Sequence, residues 1–146
     1  MYNFNDTPIS ISLSADKIIY YKLRAVHRRH GNAEKCIWII SVEEEVDCFK
    51  YAVFEKWLEE KKGWGLKINI EERGLAELGL SEQNEPLKIA KFVDSSSTTE
   101  WHGYPADYCR RKQDRPSLNI LMDWKNKGII TKTQMDKIKQ YKKCNL

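Results

Sequence analysis

The chain has no apolar stretch long enough to cross a bilayer: the uncharged run Cys36 to Val42 falls far short of the roughly 20 residues that a helical span needs. Its start, Met1 to Asp6, has neither the basic residues nor the apolar segment of a secretory leader. A cytoplasmic location without a membrane partner is therefore expected. The four cysteines, Cys36, Cys48, Cys109 and Cys144, are widely and irregularly spaced, which suits reduced thiols better than a disulfide framework or a zinc knuckle. No Gly-rich phosphate loop, dinucleotide fingerprint, Ser-centred elbow or metalloprotease histidine pair is present, and there is no internal repeat. No cofactor and no metal are expected.

What is there suits one folded domain. With 146 residues, 41% of them hydrophobic, the chain can bury a core without cross-links and is too short for two ordinary domains. Five Trp and seven Tyr supply large apolar surfaces, most of which must be covered. Charged residues are abundant but mixed in sign, which argues against disorder. Their distribution is lopsided. Residues 110–146 hold eleven Lys and Arg against three Asp, a surplus of +8, which leaves −4 for residues 1–109 of a chain that totals +4. Such a positive end can attract phosphate or an acidic protein.

Pro8 to Ser14 alternates apolar and polar residues, so Ile9, Ile11 and Leu13 share one face of a strand. Ser14 to Lys17 reads as a helix start leading into Ile19, Leu23, Val26 and His30 at helical spacing. The same stretch is rich in Ile and Tyr and ends at Gly31-Asn32, so a hairpin into a strand over 36–41 is the alternative. Ser41 to Glu44 is a capping box that opens a helix carrying Val42, Val46, Phe49, Val53 and Trp57, with Lys61-Lys62-Gly63 closing it. Glu43, Glu44, Glu45 and Asp47 offset the positive end of that helix, a better account of them than carboxylate catalysis. Leu66, Ile68 and Ile70 make a third strand and Leu87 to Val93 a fourth. Residues 72–86 are ambiguous, and Asp94 to Thr99 is a polar loop leading to the turn Trp101 to Asp107.

The tail predicts two helices. One begins near Pro116, buries Leu118, Leu121, Met122 and Trp124, and ends at Gly128; the next begins at Thr131 with Gln134 in a capping box and carries Met135, Ile138 and Tyr141. Residues 118–143, with Lys127 to Thr131 at the turn, resemble the short helical hairpin of SHOCT-type C-terminal modules. Met135 follows Gln134 where that family has an acidic residue and Phe. The resemblance implies a helical hairpin with an interaction role and no chemistry.

Three constellations could carry function. His102, Tyr104 and Arg110 are the residue types that metal-free cleavage of RNA needs: a proton acceptor, a donor for the leaving oxygen and a cation for the phosphate. Gly103 and Pro105 explain the same segment as a tight turn whose aromatics pack on the sheet. Arg110, Arg111, Lys112, Lys125, Lys132, Lys139 and Lys143 could form a nucleic-acid surface, the alternative being a solvated helix exterior. Lys outnumbers Arg there, and few side chains suit base reading, so backbone contacts are expected over sequence-specific ones. His27 and His30 would share a helix face and could share a metal, but no paired cysteines or acidic helper complete a site.

The expectation is a single α+β domain over 1–146, with about four short strands and two packed helices in a body spanning 1–109 and a basic helical hairpin at 110–146. The expected function is binding of RNA, DNA or an acidic protein through the basic end. A metal-independent ribonuclease of the toxin kind and a non-catalytic protein interaction module are the alternatives.

Overall fold

The computed structural model describes residues 8–28, 35–94 and 99–146. In β1 (Ile9–Ser14) Ile11 is buried between exposed serines, and in β2 (Lys17–Tyr21) Ile19 and Tyr21 are buried beside exposed Ile18 and Tyr20. The two strands pair antiparallel around Ala15 and Asp16. The helix expected from Ser14 is thus a hairpin, because β-branched and aromatic side chains in succession pack well on a pleated surface and lose rotamer freedom in a helix. Its turn lies at Ala15-Asp16; Gly31, Asn32 and His30 fall outside the described residues.

A single 3-10 turn (Ala25–Arg28) leads to β3 (Ile37–Trp38) and α1 (Val42–Phe54). Then come β4 (Leu58–Glu59), β5 (Lys62–Gly65), β6 (Ile68–Asn69), β7 (Gly74–Leu75), β8 (Gly79–Leu80), β9 (Pro86–Leu87), β10 (Ala90–Val93) and β11 (Glu100–Pro105). A second 3-10 turn (Lys112–Asp114) precedes α2 (Leu118–Asn126) and α3 (Lys132–Lys139). The α+β class is as expected. The count of four strands is corrected: eleven strands occur among the described residues, six of them only two residues long.

The main sheet has six strands in the order β1-β2-β11-β10-β5-β4. Every pairing in it is antiparallel except β2 with β11. A three-stranded sheet, β3-β8-β9, and the β6-β7 pair lie outside it. The segment Trp101 to Asp107, expected as a turn, supplies a central strand instead: Trp101, Gly103 and Pro105 are buried and alternate with half-buried His102 and Tyr104. Of the strand expected over Leu66, Ile68 and Ile70 only the two-residue β6 forms, with Ile68 and Ile70 exposed, and the fourth is split between β9 and β10. The loop expected at 94–99 falls largely outside the described residues.

Helix α1 starts as predicted, with the Ser41 hydroxyl accepting from Glu44 N–H and the Glu44 carboxylate accepting from Ser41 N–H. It stops well before Gly63. Lys56 takes a left-handed φ of 63°, and Trp57 N–H reaches Ala52 O at 2.8 Å, which closes the helix without a glycine.

One face of the sheet packs on α1. Phe49 of α1 lies 4.6 Å from Tyr21, 5.1 Å from Phe92 and 6.0 Å from Trp101, ring centre to ring centre. Gly103 makes room there, since a Cβ on it would sit 2.7 Å from the Tyr21 hydroxyl and collide with the Phe92 ring. Glu45, also on α1, is buried against the Tyr21 hydroxyl at 2.5 Å and Arg28 at 2.7 Å. The buried cluster continues into the tail through Trp57 and Trp124, 5.6 Å apart edge to face, and through Ile120, Leu121, Ile130, Met135 and Ile138. Leu118 and Met122, expected inside, are exposed, and Ile120 is buried.

Candidate functional site

Successive residues of a strand point to opposite faces, so the residues that alternate with Gly63, Phe92 and Gly103 face away from α1. The register sets Trp64 beside Lys91 and Lys91 beside Tyr104 in one row across β5, β10 and β11. That row holds the entrance to the basic tail. The Trp64 indole N–H donates to Asp114 O at 2.9 Å, the Tyr104 hydroxyl donates to Asp114 Oδ1 at 2.9 Å, and the Lys91 ammonium donates to Gln113 O. Asp114, fully buried, also accepts from Asp107 N–H at 2.9 Å. Burial pushes its carboxyl up, partly offset by these donors and Lys91; burial likewise pushes the Lys91 ammonium down, partly offset by Asp114.

Fixing the 112–114 turn on the sheet creates a cleft of about 630 Å³ between β5, that turn, α2 and α3. Lys62, Lys112, Arg115 and Lys139 line it together with Trp64, Gln113, Pro116, Ser117, Leu118 and Leu121. Among the described residues no carboxylate does. None of the four cations forms an ion pair among the described residues. Arg115 is held in place, with Nη1 donating to Lys139 O at 2.9 Å and the guanidinium 4.5 Å from the Tyr141 ring centre. The first turn of α2 borders the same space; Ser117 caps it by accepting from Ile120 N–H.

Most other bases of the tail are matched with acids. Arg110 pairs with Glu85 at 2.7 Å and with Asp107 at 3.4 Å, and Lys143 reaches the same Glu85 at 2.5 Å. Those two cations, Lys143 first, hold the Glu85 carboxyl below its usual range. Arg111 pairs with Glu82, Lys127 with Glu55 and Asp123, and Lys132 with Asp136. The acids at 43–47 do not cross to the tail: Glu44 pairs with Lys67 and Glu45 with Arg28.

Of the predicted binding residues, Lys112 and Lys139 therefore meet in the cleft. Arg110, Arg111, Lys132 and Lys143 are in ion pairs, and Lys125 lines no part of the cleft. Lys62 and Arg115 complete it. The sequence places Lys62 at a helix end, and only the pairing of β5 with β10 brings it to the tail.

The other candidate residues are placed as follows. His102 and Tyr104 share one face of β11, and Tyr104 stacks on His27 at 5.3 Å. Burial, reinforced by the Arg24 charge and His27, lowers the His102 imidazole to about 4, which makes it a weak proton acceptor at neutral pH. The Tyr104 hydroxyl is committed to Asp114, and burial raises it far above the phenol range. Arg110 lies at Glu85, in a second cleft with Tyr108, Cys109 and Cys144 that neither His102 nor Tyr104 lines. The acceptor, donor and cation of the ribonuclease expectation are thus divided between two places. His27 is buried, with Nδ1 3.2 Å from Cys36 O. Among the described residues no group of three His, Cys, Asp or Glu side chains could hold a metal ion, and no helix is long and apolar enough to cross a membrane.

No protein-family model, no curated protein and no solved structure matches the chain.

Proposed function

We propose that the protein binds nucleic acid through the cationic cleft, with phosphate oxygens against Lys62, Lys112, Arg115 and Lys139. The observation that carries this reading is the gathering of four cations from separate parts of the chain around one cleft that, among the described residues, no carboxylate lines. Three of the four are Lys, which meets phosphate as a point charge and reads no base, so the binding recognises phosphate and not the sequence. Pro116 and the exposed Leu118 offer an apolar wall to sugar or base, a feature an acidic protein would not require.

The test is a gel-retardation titration of single-stranded RNA and DNA at low salt. Retention is expected, with log K falling against log salt at a slope no steeper than about −3, the limit for roughly four phosphate contacts to a single strand. The double substitution Lys112→Glu, Lys139→Glu is expected to abolish it. Lys125→Glu with Lys137→Glu, outside the cleft, should weaken it only slightly. Absence of retention by the unaltered protein, or equal loss in both variants, rejects the reading.

A further inference from the structure

Resting on that reading, we propose that the cleft seats a terminal phosphate monoester of a nucleic acid strand, in preference to a run of internal phosphodiesters. The distribution of charge is the first reason. A groove that follows a backbone needs cations in series, but Arg110, Arg111, Lys127, Lys132 and Lys143 are matched by Glu82, Glu85, Glu55, Asp123 and Asp136. Lys125, Lys137 and Lys142 have no acidic partner among the described residues, but they line no part of the cleft. The accessible positive field is therefore concentrated where Lys62, Lys112, Arg115 and Lys139 face one space. Such a spot favours the most densely charged part of a strand, and a terminal monoester carries about −1.5 to −2 at neutral pH where an internal diester carries one charge.

The lining is the second reason. Arg115, steadied by Lys139 O and the Tyr141 ring, presents its remaining N–H groups with little left to order on binding. The first turn of α2, whose leading amides have no partner within the helix, borders the same space and adds its positive end. A monoester has three unbridged oxygens for such donors; an internal diester has two. At about 630 Å³ the cleft is also within the ordinary range for a small ligand, roughly 300–1,000 Å³, large enough for one end nucleotide against Pro116 and Leu118.

The experiment compares one single-stranded sequence bearing a 5′ phosphate, a 3′ phosphate or hydroxyls at both ends, each titrated against the full chain. A phosphate at one end is expected to tighten binding about tenfold, and the preferred end identifies the source of the monoester. The gain should disappear in Lys112→Glu with Lys139→Glu. It should also shrink between pH 7.5 and 5.5, as the monoester takes up its second proton near pH 6, a titration that internal diesters do not undergo. Equal binding of all three strands overturns the inference and leaves the nucleic-acid reading standing. Failure of all three to bind overturns both.

Discussion

His102 illustrates how a central strand alters one side chain. Pleating turns it and Tyr104 away from α1, and burial with Arg24 and His27 nearby disfavours its charged form, leaving Asp94 as a weaker opposing influence. The unfolded chain, with an ordinary imidazole near 6.5, binds this proton where the native one, at about 4, does not. Stability should therefore fall as pH drops from about 6.5 towards 4 and stop falling on this account below that. His102→Gln is expected to flatten that part of a plot of urea midpoint against pH, and an unchanged slope would refute the assignment. From the sequence, the residue types at 102 and 104 were visible but their orientation was not. An alternating segment broken by Gly103 and Pro105 looks like a turn until its pairing with β10 and β2 is known.

Helix starts and helix stops were unequally legible. Ser41 with Glu44 and Thr131 with Gln134 form the reciprocal side-chain bonds that their spacing predicts, because capping boxes are local. The stops were legible only where glycine marks them. Gly128, at φ 75°, closes α2, with Ile129 N–H on Trp124 O at 2.9 Å and Gly128 N–H on Lys125 O at 3.0 Å. Lys56 closes α1 and Tyr141 closes α3 with the same bond pattern at φ 63° and 60°. A side chain in that region costs about 1–2 kcal/mol, which packing of Trp57 and of the tail offsets. Opposite outcomes are expected from two exchanges: Gly128→Ala should lower stability by about 1 kcal/mol and Lys56→Gly should raise it by roughly half that, measured by urea unfolding. The same sign for both would contradict this account.

At the scale of the whole molecule, the charge asymmetry was legible and the place where it acts was not. The charge pattern points to helix exteriors, but several of those bases meet acids at 55, 82 and 85, and it is Lys62, Lys112, Arg115 and Lys139, without ion pairs among the described residues, that gather beside β5. The strand count failed for a related reason: two-residue strands have no period to detect, and their pairing joins distant segments. Asp114 is where body and tail are fastened together. Removing its carboxylate leaves the Tyr104 hydroxyl and Asp107 N–H without that acceptor and Lys91 without the charge that offsets its burial. Asp114→Ala is expected to destabilise the protein by about 1–3 kcal/mol for each orphaned buried donor. It should also weaken nucleic-acid retention, since Lys112 and Arg115 flank it. Wild-type urea stability in that variant would show that the fastening lies elsewhere.

The parallel contact of β2 with β11 joins Tyr20 and Tyr21 to Glu100 and Trp101. During synthesis the first hairpin emerges long before the strand it must lie beside, so it waits with one edge open while some eighty residues follow. The ribosome must release nearly the whole body before the centre of the sheet can close, and until then Ile19 and Tyr21 have only their hairpin partners Ile11 and Ile9 beside them. Contacts so far apart along the chain make folding slow compared with helical proteins of this length. The cationic cleft, whose walls include β5 and both tail helices, likewise needs segments some eighty residues apart before it exists.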